Sequence, residues 1–578
     1  MSSFHTSHKQ KDHGVSIWRN GFFVLSVIVA ISFVVRLAAL IFWGTGAIET
    51  EGAEYARIAE NLRNGVGYVG IATPGPELMF PPLFPMLIAA ASLLTNDYEW
   101  AGRIVSFVLG AILPIPVFGV ASRLFGRKTA VVAALIAAFY PLFINLSIVV
   151  YSEGAYATIL LSGVYLVLRA LDRPSIAAWC LVGAAFGLAY LVRQEALAPL
   201  LIAIVFGFVA TNGPLITRCK GAAAAIAVFA VLASLQIILI YRATGKLRLE
   251  GKSAINFALG SGVLEGQDSN ESYAINDKLE PVGVWMRPNV DVLDETHIAL
   301  KRTPYFVAAA LRRNIPTLLE YLSARWFGSP FLLALALLGL LRRPWRRPLA
   351  SRHLYVLLVP VIAVAAALCV LHTNSPRYYF VLLPFLVIWA ANGLVEVNRW
   401  TKTTVAASGF RWVNPALSGG IVSGLVALAV VITPIAAVRN LHHFKSGSSE
   451  GRVTKDVGLW IREHNNLLSG SSIRIMDLST PLAFHAGAQY VHFPYTNAQN
   501  AIRFLDAAKV DYVVLRRGAK FADYYEDWLA RGIPDARAER VYVSSEANPG
   551  AFLVYAWHRN EKDIQASHSP QTAGHEGR

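Results

Sequence analysis

The chain has 578 residues, of which 55% are hydrophobic and only 15% charged, with a mean hydropathy of +0.45. At this length such a composition excludes an ordinary soluble enzyme, and recurring apolar runs of about 20 residues define a polytopic membrane protein. The formal charge of +15 does not indicate nucleic acid as a partner. Lys and Arg gather in short loops between apolar runs, and no basic patch is interleaved with stacking aromatics.

Taken in order, residues 1–21 read as a polar cytoplasmic tail, and His5, His8 and His13 read as part of that tail rather than as metal ligands. The first span, 22–43, is followed by no small-residue cleavage site and reads as an uncleaved anchor. An outer loop, 44–99, comes next. Within it ETEGAEYARIAENLRNGVG, 49–67, has the spacing of a short amphipathic helix. Tyr55, Ile58, Ala59 and Leu62 share one face, while Glu54, Arg57, Glu60 and Asn61 take the other. Thr50 is the expected N-cap, and Gly65 and Gly67 end the helix. Glu51, four residues before Tyr55, falls on the apolar face. A carboxylate at that boundary is shielded from bulk water and still meets a polar substrate, which suits a catalytic base.

The apolar run Leu83–Thr95 is too short to cross a hydrocarbon core of roughly 30 Å and reads as an interfacial helix. With it left uncrossed, ten further spans follow near 100–122, 129–147, 152–170, 175–192, 196–211, 221–241, 326–341, 354–371, 377–396 and 416–438. The basic clusters (Arg123/Arg127/Lys128, Arg169/Arg173, Arg218/Lys220, Arg342 to Arg352, and Arg399/Lys402/Arg411) then share one face. By the positive-inside rule that face is cytoplasmic. The expected fold is mainly α: a transmembrane helix bundle of about 11 spans carrying a C-terminal extracytoplasmic α/β domain.

Two outward pieces complete the chain. The loop 244–322 has helical spacing from Asp294 to Arg313. Residues 444–560 read as a small α/β domain with strands near Ile473–Met476, Tyr490–Phe493, Tyr512–Leu515, Val541–Val543 and Phe552–Tyr555. Residues 561–578 read as a disordered tail. Cys180, Cys219 and Cys369 lie in or beside spans and form neither a disulfide framework nor a metal spacing. No internal repeat, Walker loop or dinucleotide fingerprint is present.

Several ionisable residues converge on the outer face. These are Glu51, Glu153 in VVYSEGAYATIL, Arg193 and Glu195 in YLVRQEALAP, and Arg377 beside Tyr378 and Tyr379 in HTNSPRYYFVLL. Carboxylates and guanidiniums at the lip of an apolar bundle suit a phosphate with an apolar tail: arginine supplies a bidentate fork and a carboxylate takes a proton. Each residue also has a structural alternative. Glu51 could complement a helix dipole, Glu153 could be a solvated span end or pair with Arg193, and Arg193 could pair with Glu195. Arg377 and Arg36 could snorkel to the headgroups, and Trp43, Trp100 and Trp326 read as interface anchors.

At these residues the chain resembles the GT-C membrane glycosyltransferases, in particular the bacterial relatives of the protein O-mannosyltransferases and of the lipid A aminoarabinose transferases. EGAEYARIAENLRNGVGY with PPLFPMLIA resembles that family's first outer loop. YPLFINLSIVVYSEGAYATILLSG resembles its second outer turn, and GLAYLVRQEALAPL and PRYYFVLLPFLVIWAANGL resemble its later Arg-containing turns. The resemblance implies an inverting transferase in the bacterial inner membrane, with its N-terminus cytoplasmic and its C-terminal domain periplasmic. Its donor is a sugar on a polyprenyl phosphate, and its acceptor is a hydroxyl of a glycan, lipid or protein. Glu51 and Glu153 are then catalytic, and Tyr55, Arg193, Arg377 and Tyr378 bind substrate. No cofactor is required, although a divalent metal could assist at Glu51 and Glu153, as in some relatives. The family's first acid is usually Asp, often followed by Glu; here the matching positions are Glu51 and Gly52, with Glu49 and Glu54 as reserve candidates. A lipid-linked sugar transporter and a catalytically inactive scaffold are the competing readings. Outer-lip charges and the lack of repeated halves favour the enzyme over the transporter.

Overall fold

The computed structural model describes residues 6–44, 46–211, 214–264, 266–295, 303–322, 329–342, 349–370, 376–408, 414–440, 449–465, 473–544 and 552–559; side chains are described for all but a few of these, chiefly 6–20, 370, 376–378 and 436–440. Among the described residues, seven helices are long and apolar enough to cross a membrane: Gly21–Trp43, Tyr98–Phe125, Glu153–Asp172, Leu215–Thr244, Ala350–Cys369, Tyr379–Ala407 and Pro415–Thr433. Four shorter apolar helices join them: Leu83–Thr95, Ile176–Val192, Gln194–Ala210 and Pro330–Leu341.

The bundle has two chemically distinct ends. Asp172, at the end of the Glu153–Asp172 helix, pairs with Arg123 and with Arg352, so the basic ends of three helices meet there. The 20 residues of that helix rise about 30 Å, which carries the chain from this end to Glu153 at the other. Close packing of the Pro330–Leu341 helix on the Leu383–Ala407 helix depends on paired glycines. A Cβ on Gly339 would lie 1.9 Å from the Trp389 carbonyl oxygen, and one on Gly393 would lie 2.1 Å from that of Leu335.

The first apolar segment, Gly21–Trp43, lies close to the expected span 22–43, within a helix that starts at Thr6. Two expectations need correction. The third expected span is broken: helix Arg127–Phe139 stops at Tyr140, whose extended backbone precedes Pro141 and the short helix Pro141–Asn145. Arg36 does not snorkel. It is fully buried, and its guanidinium donates to the Ala138 carbonyl (2.9 Å), the Ala137 carbonyl (3.2 Å), Ser147 Oγ (3.0 Å) and Ser32 Oγ (2.6 Å). It thereby satisfies carbonyls that the broken helix leaves without intrahelical partners. Trp43 is largely exposed and Trp100 partly so, while Trp326 lies outside the described residues.

The C-terminal unit holds a five-stranded sheet of β1 (Arg474–Asp477), β2 (Gln489–His492), β3 (Tyr512–Arg516), β4 (Ala538–Val543) and β5 (Phe552–Trp557), in the order β2-β1-β3-β5-β4. β1 runs parallel to β2 and β3, and β5 runs antiparallel to β3 and β4. Helix Thr480–His485 supplies the β1–β2 crossover. Helix Ala498–Ala507, capped by Asn497 on the Asn500 N–H, leads from β2 to β3. The 444–560 region is described only from 449 to 465, 473 to 544 and 552 to 559, and the 561–578 tail lies outside the described residues.

This unit sits on the end of the bundle that carries Glu153. Thr480 Oγ1 donates to the Thr50 carbonyl (3.1 Å), Arg57 donates to the Ala488 carbonyl (3.1 Å), and Lys455 pairs with Glu99 at 2.9 Å. The loop after Thr244 packs against it as well. Tyr273 stacks on His492 with ring centroids 3.4 Å apart, and Asn270 donates to the Phe521 carbonyl (3.1 Å). That loop holds helices Lys252–Leu264, Asn289–Glu295 and Thr303–Glu320; residues 296–302, inside the expected Asp294–Arg313 helix, lie outside the described residues.

Candidate functional site

The site is built where four segments end. The first is helix Thr50–Arg63, which starts one residue earlier than expected: Glu49 is its N-cap and Thr50 its first residue. Its apolar face carries Tyr55, 1% exposed, whose ring meets Phe80 and Phe84 edge-on at 5.0 and 4.9 Å. Glu54 was placed on the solvent face by periodicity alone. It is buried instead, and its Oε2 accepts from the Ile71 N–H (3.0 Å) and the Ala72 N–H (2.8 Å).

The second segment is the turn that delivers Ser152 and Glu153 to the start of their helix, where the N-terminal dipole favours a carboxylate. The third is the break between helices Ile176–Val192 and Leu197–Ala210. Arg193 leaves the first helix in extended conformation, Gln194–Ala196 form one 3-10 turn, and Pro199 falls in the first turn of the next helix. The fourth is the start of the Lys252–Leu264 helix.

These segments bring Glu51, Tyr55, Glu153 and Arg193 together. The Tyr55 hydroxyl donates to Glu51 Oε1 at 3.1 Å and lies 3.0 Å from Ser152 Oγ. Arg193 Nη1 lies 3.0 Å from Glu153 Oε1, and its Nη2 lies 3.3 Å from Glu195 Oε1. Lys252 Nζ completes the row at 3.1 Å from the same Glu195 oxygen. Burial pushes the Tyr55 hydroxyl well above its usual range, Glu51 raises it further, and Arg193 opposes both, so Tyr55 stays a protonated donor. Glu195 is partly exposed; desolvation by its neighbours pushes its carboxyl up, but Lys252 and Arg193 outweigh that and hold it below its usual range.

A cavity of about 390 Å³ opens beside this row. Its polar end comprises Glu153, Tyr156, Arg193, Gln194, Glu195, Glu250, Lys252 and Asn256. Its apolar wall comes from Leu197, Ala198 and Leu201, from Ala363, Ala366, Ala367 and Cys369, and from Phe380 and Val381. The side chains of Arg377 and Tyr378 lie outside the described residues. Their backbone belongs to the 3-10 segment Pro376–Leu382, which carries Phe380 and Val381 to the cavity wall.

The reserve acids do other work. Glu49 Oε2 accepts from the Val150 N–H (3.0 Å), and burial raises the Glu49 carboxyl above its usual range against the pull of Arg103. Glu54 hydrogen-bonds to Glu77, so both are engaged in holding the outer loop. Arg193 pairs with Glu153 through its Oε1, and no group of three His, Cys, Asp or Glu suited to a metal is found among the described residues.

Sequence reasoning missed Lys252, Glu250, Gln194 and Tyr156. Gln194 stands between two residues that were singled out, and Tyr156 lies three residues past Glu153 on the same helical face. Lys252 and Glu250 carried no usable signal, because they sit in a long loop with no motif around them.

The helical arrangement is the GT-C fold of membrane glycosyltransferases, as the sequence resemblance led us to expect. Over residues 80–244 the chain matches the profile of the dolichyl-phosphate-mannose-protein mannosyltransferase family. The structure is similar to the apo oligosaccharyltransferase of Archaeoglobus fulgidus, with 16% identity and a TM-score of 0.57 over 93% of this chain and 74% of that one. It is similar to AglB from Archaeoglobus fulgidus in complex with an inhibitory peptide and a dolichol-phosphate, with 16% identity and a TM-score of 0.55 over 93% and 74%. It is also similar to ArnT from Cupriavidus metallidurans bound to undecaprenyl phosphate, with 16% identity and a TM-score of 0.54 over 92% of this chain and 97% of that one. No curated protein matches the chain by sequence. At these identities the likeness is one of fold.

Proposed function

We propose that the protein is an inverting glycosyltransferase of the bacterial inner membrane. It moves a sugar from a polyprenyl phosphate to an acceptor hydroxyl on the extracytoplasmic face. One observation carries this reading: a single cavity joins a row of cations and carboxylates to an apolar wall, and Glu51 is tied to its rim through Tyr55 and Ser152. A lipid phosphate matches that duality, with its headgroup at Arg193 and Lys252 and its first isoprene units along the apolar wall. The lipid phosphates bound to the AglB and ArnT structures agree with such a donor.

In the reaction Glu51 takes the proton of the acceptor hydroxyl, and the oxygen attacks the anomeric carbon from the side opposite the phosphate. The bond between that carbon and the phosphate oxygen breaks, and the electron pair leaves with the phosphate, inverting the configuration. Arg193 and Lys252 neutralise the developing charge, with Arg377 as the third candidate cation. Glu195 holds the two cations until phosphate takes its place. Tyr55 orients Glu51, and the C-terminal unit steadies the same helix through Thr480 and Arg57.

Mass spectrometry of envelope glycans and lipids, with and without the protein, tests this function. Loss of one sugar from one acceptor, with accumulation of a polyprenyl-phosphate sugar, is the expected result. Identical profiles would contradict it.

A further inference from the structure

Glu153, Arg193, Glu195 and Lys252 form one chain of ion pairs along the cavity, and beside it stand two neutral residues whose polar atoms are left over. Gln194 is 7% exposed, and both its Oε1 and its Nε2 are buried without a hydrogen-bond partner among the described residues. Tyr156 is 4% exposed, and its hydroxyl is likewise buried and unpartnered. Both line the same cavity. Buried polar groups in folded proteins are paired with few exceptions, and leaving them unmade is costly. Three vacant hydrogen-bonding atoms on the neutral residues of one cavity therefore point to a ligand that supplies the missing partners.

Their chemistry and position narrow what that ligand is. Gln194 follows Arg193 directly, and Tyr156 stands one helical turn beyond Glu153, with the Arg193 guanidinium over its ring at 5.9 Å. Both groups thus adjoin the Glu153–Arg193 pair. They are neutral, so phosphate goes to the cations rather than to them, and an isoprene chain offers them nothing to bond. An amide carries an acceptor and two donors, and a phenol carries one donor and acceptor oxygens. Neighbouring hydroxyls of a sugar answer both.

We propose that Gln194 and Tyr156 bind hydroxyls of the donor's glycosyl group and thereby select the sugar. This rests on the polyprenyl-phosphate reading above. A site that pays for unpaired polar atoms when empty discriminates strongly between a ligand that pairs them and one that does not.

The test measures binding of undecaprenyl phosphate, bare and carrying glucose, galactose, mannose or 4-amino-4-deoxyarabinose, to the full chain in nanodiscs. The wild type should bind one sugar-bearing lipid at least about tenfold tighter than the bare lipid, a difference of about 1.4 kcal/mol. Gln194→Leu and Tyr156→Phe should each remove most of that preference while binding bare lipid within about twofold of wild type. Each should also leave the thermal midpoint of the empty protein unchanged or higher, since an unpaired buried group is gone. A preference intact in both variants, or an equal loss for bare and sugar-bearing lipid, overturns the proposal. So does a lowered midpoint, which would mark a structural role, or a wild type that prefers no sugar-bearing lipid. Loss in one variant only overturns the paired site. Wild-type protein that binds no lipid phosphate overturns the functional reading as well, whereas bound lipid with intact preference in the variants leaves that reading standing.

Discussion

Tyr55 donates its one hydroxyl proton to Glu51 at 3.1 Å, and Ser152 is therefore the donor in its 3.0 Å contact with Tyr55. An ionised carboxylate only accepts, so the direction of this relay is fixed from Ser152 to Tyr55 to Glu51. The relay joins the first outer loop to the residue next to Glu153. Tyr55→Phe removes the middle member without changing the packing of the ring. We expect kcat to fall about tenfold with KM little changed, and stability to fall by about 1 kcal/mol. Steady-state kinetics and thermal unfolding of the purified variant check this.

The Glu153–Arg193 pair is buried on both sides, and removing one partner strands the other. Arg193→Ala should lower stability by about 3–5 kcal/mol and abolish transfer. The double variant Glu153→Gln with Arg193→Met removes both charges and should recover most of that stability while leaving transfer abolished. A double variant that regained activity would show that the pair is purely structural.

Glu77 and Glu54 give the outer loop a pH dependence. Burial first, and the Glu54 charge second, hold the Glu77 carboxyl well above its ordinary value of 4.5. The folded protein therefore keeps a proton there at pH values where the unfolded chain has released it. That contribution to stability is complete below the ordinary value and is lost as pH rises through the folded one, by at most about 1.4 kcal/mol per pH unit. The thermal midpoint of the wild type should therefore decline toward alkaline pH, and Glu77→Gln, which supplies a permanent donor to Glu54, should flatten that decline.

Cys369 lines the apolar wall of the cavity and is half-buried. In a Cys180→Ala, Cys219→Ala background it is the single thiol left of three. N-ethylmaleimide should modify it, and undecaprenyl phosphate should slow that modification, read by intact-mass spectrometry. Equal rates with and without the lipid would place the isoprene chain elsewhere.

Much of the fold was legible because its signals are local. Apolar runs mark the helices, the basic loops mark one end of the bundle, and the alternating runs from residue 473 onward mark β1 to β5. The pairing of Glu153 with Arg193 was also foreseeable from charge at two span mouths. What stayed hidden depends on contacts between distant segments. Glu54 lies on a face that periodicity assigns to water, and only the backbone of residues 71 and 72, folded back over it, makes it buried. Arg36 looked like a snorkelling residue because its partners, the carbonyls of Ala137 and Ala138, are exposed only by a helix break about a hundred residues on. Lys252 reaches Glu195 across 57 positions.

The most direct test is transfer by Glu51→Gln protein in proteoliposomes supplied with a polyprenyl-phosphate sugar and its acceptor. Glutamine keeps the size of the side chain and its acceptor oxygen toward Tyr55 but cannot take a proton. We predict that transfer falls about 100- to 10,000-fold while undecaprenyl phosphate still binds. Transfer at the wild-type rate would contradict the assignment of Glu51 as the base.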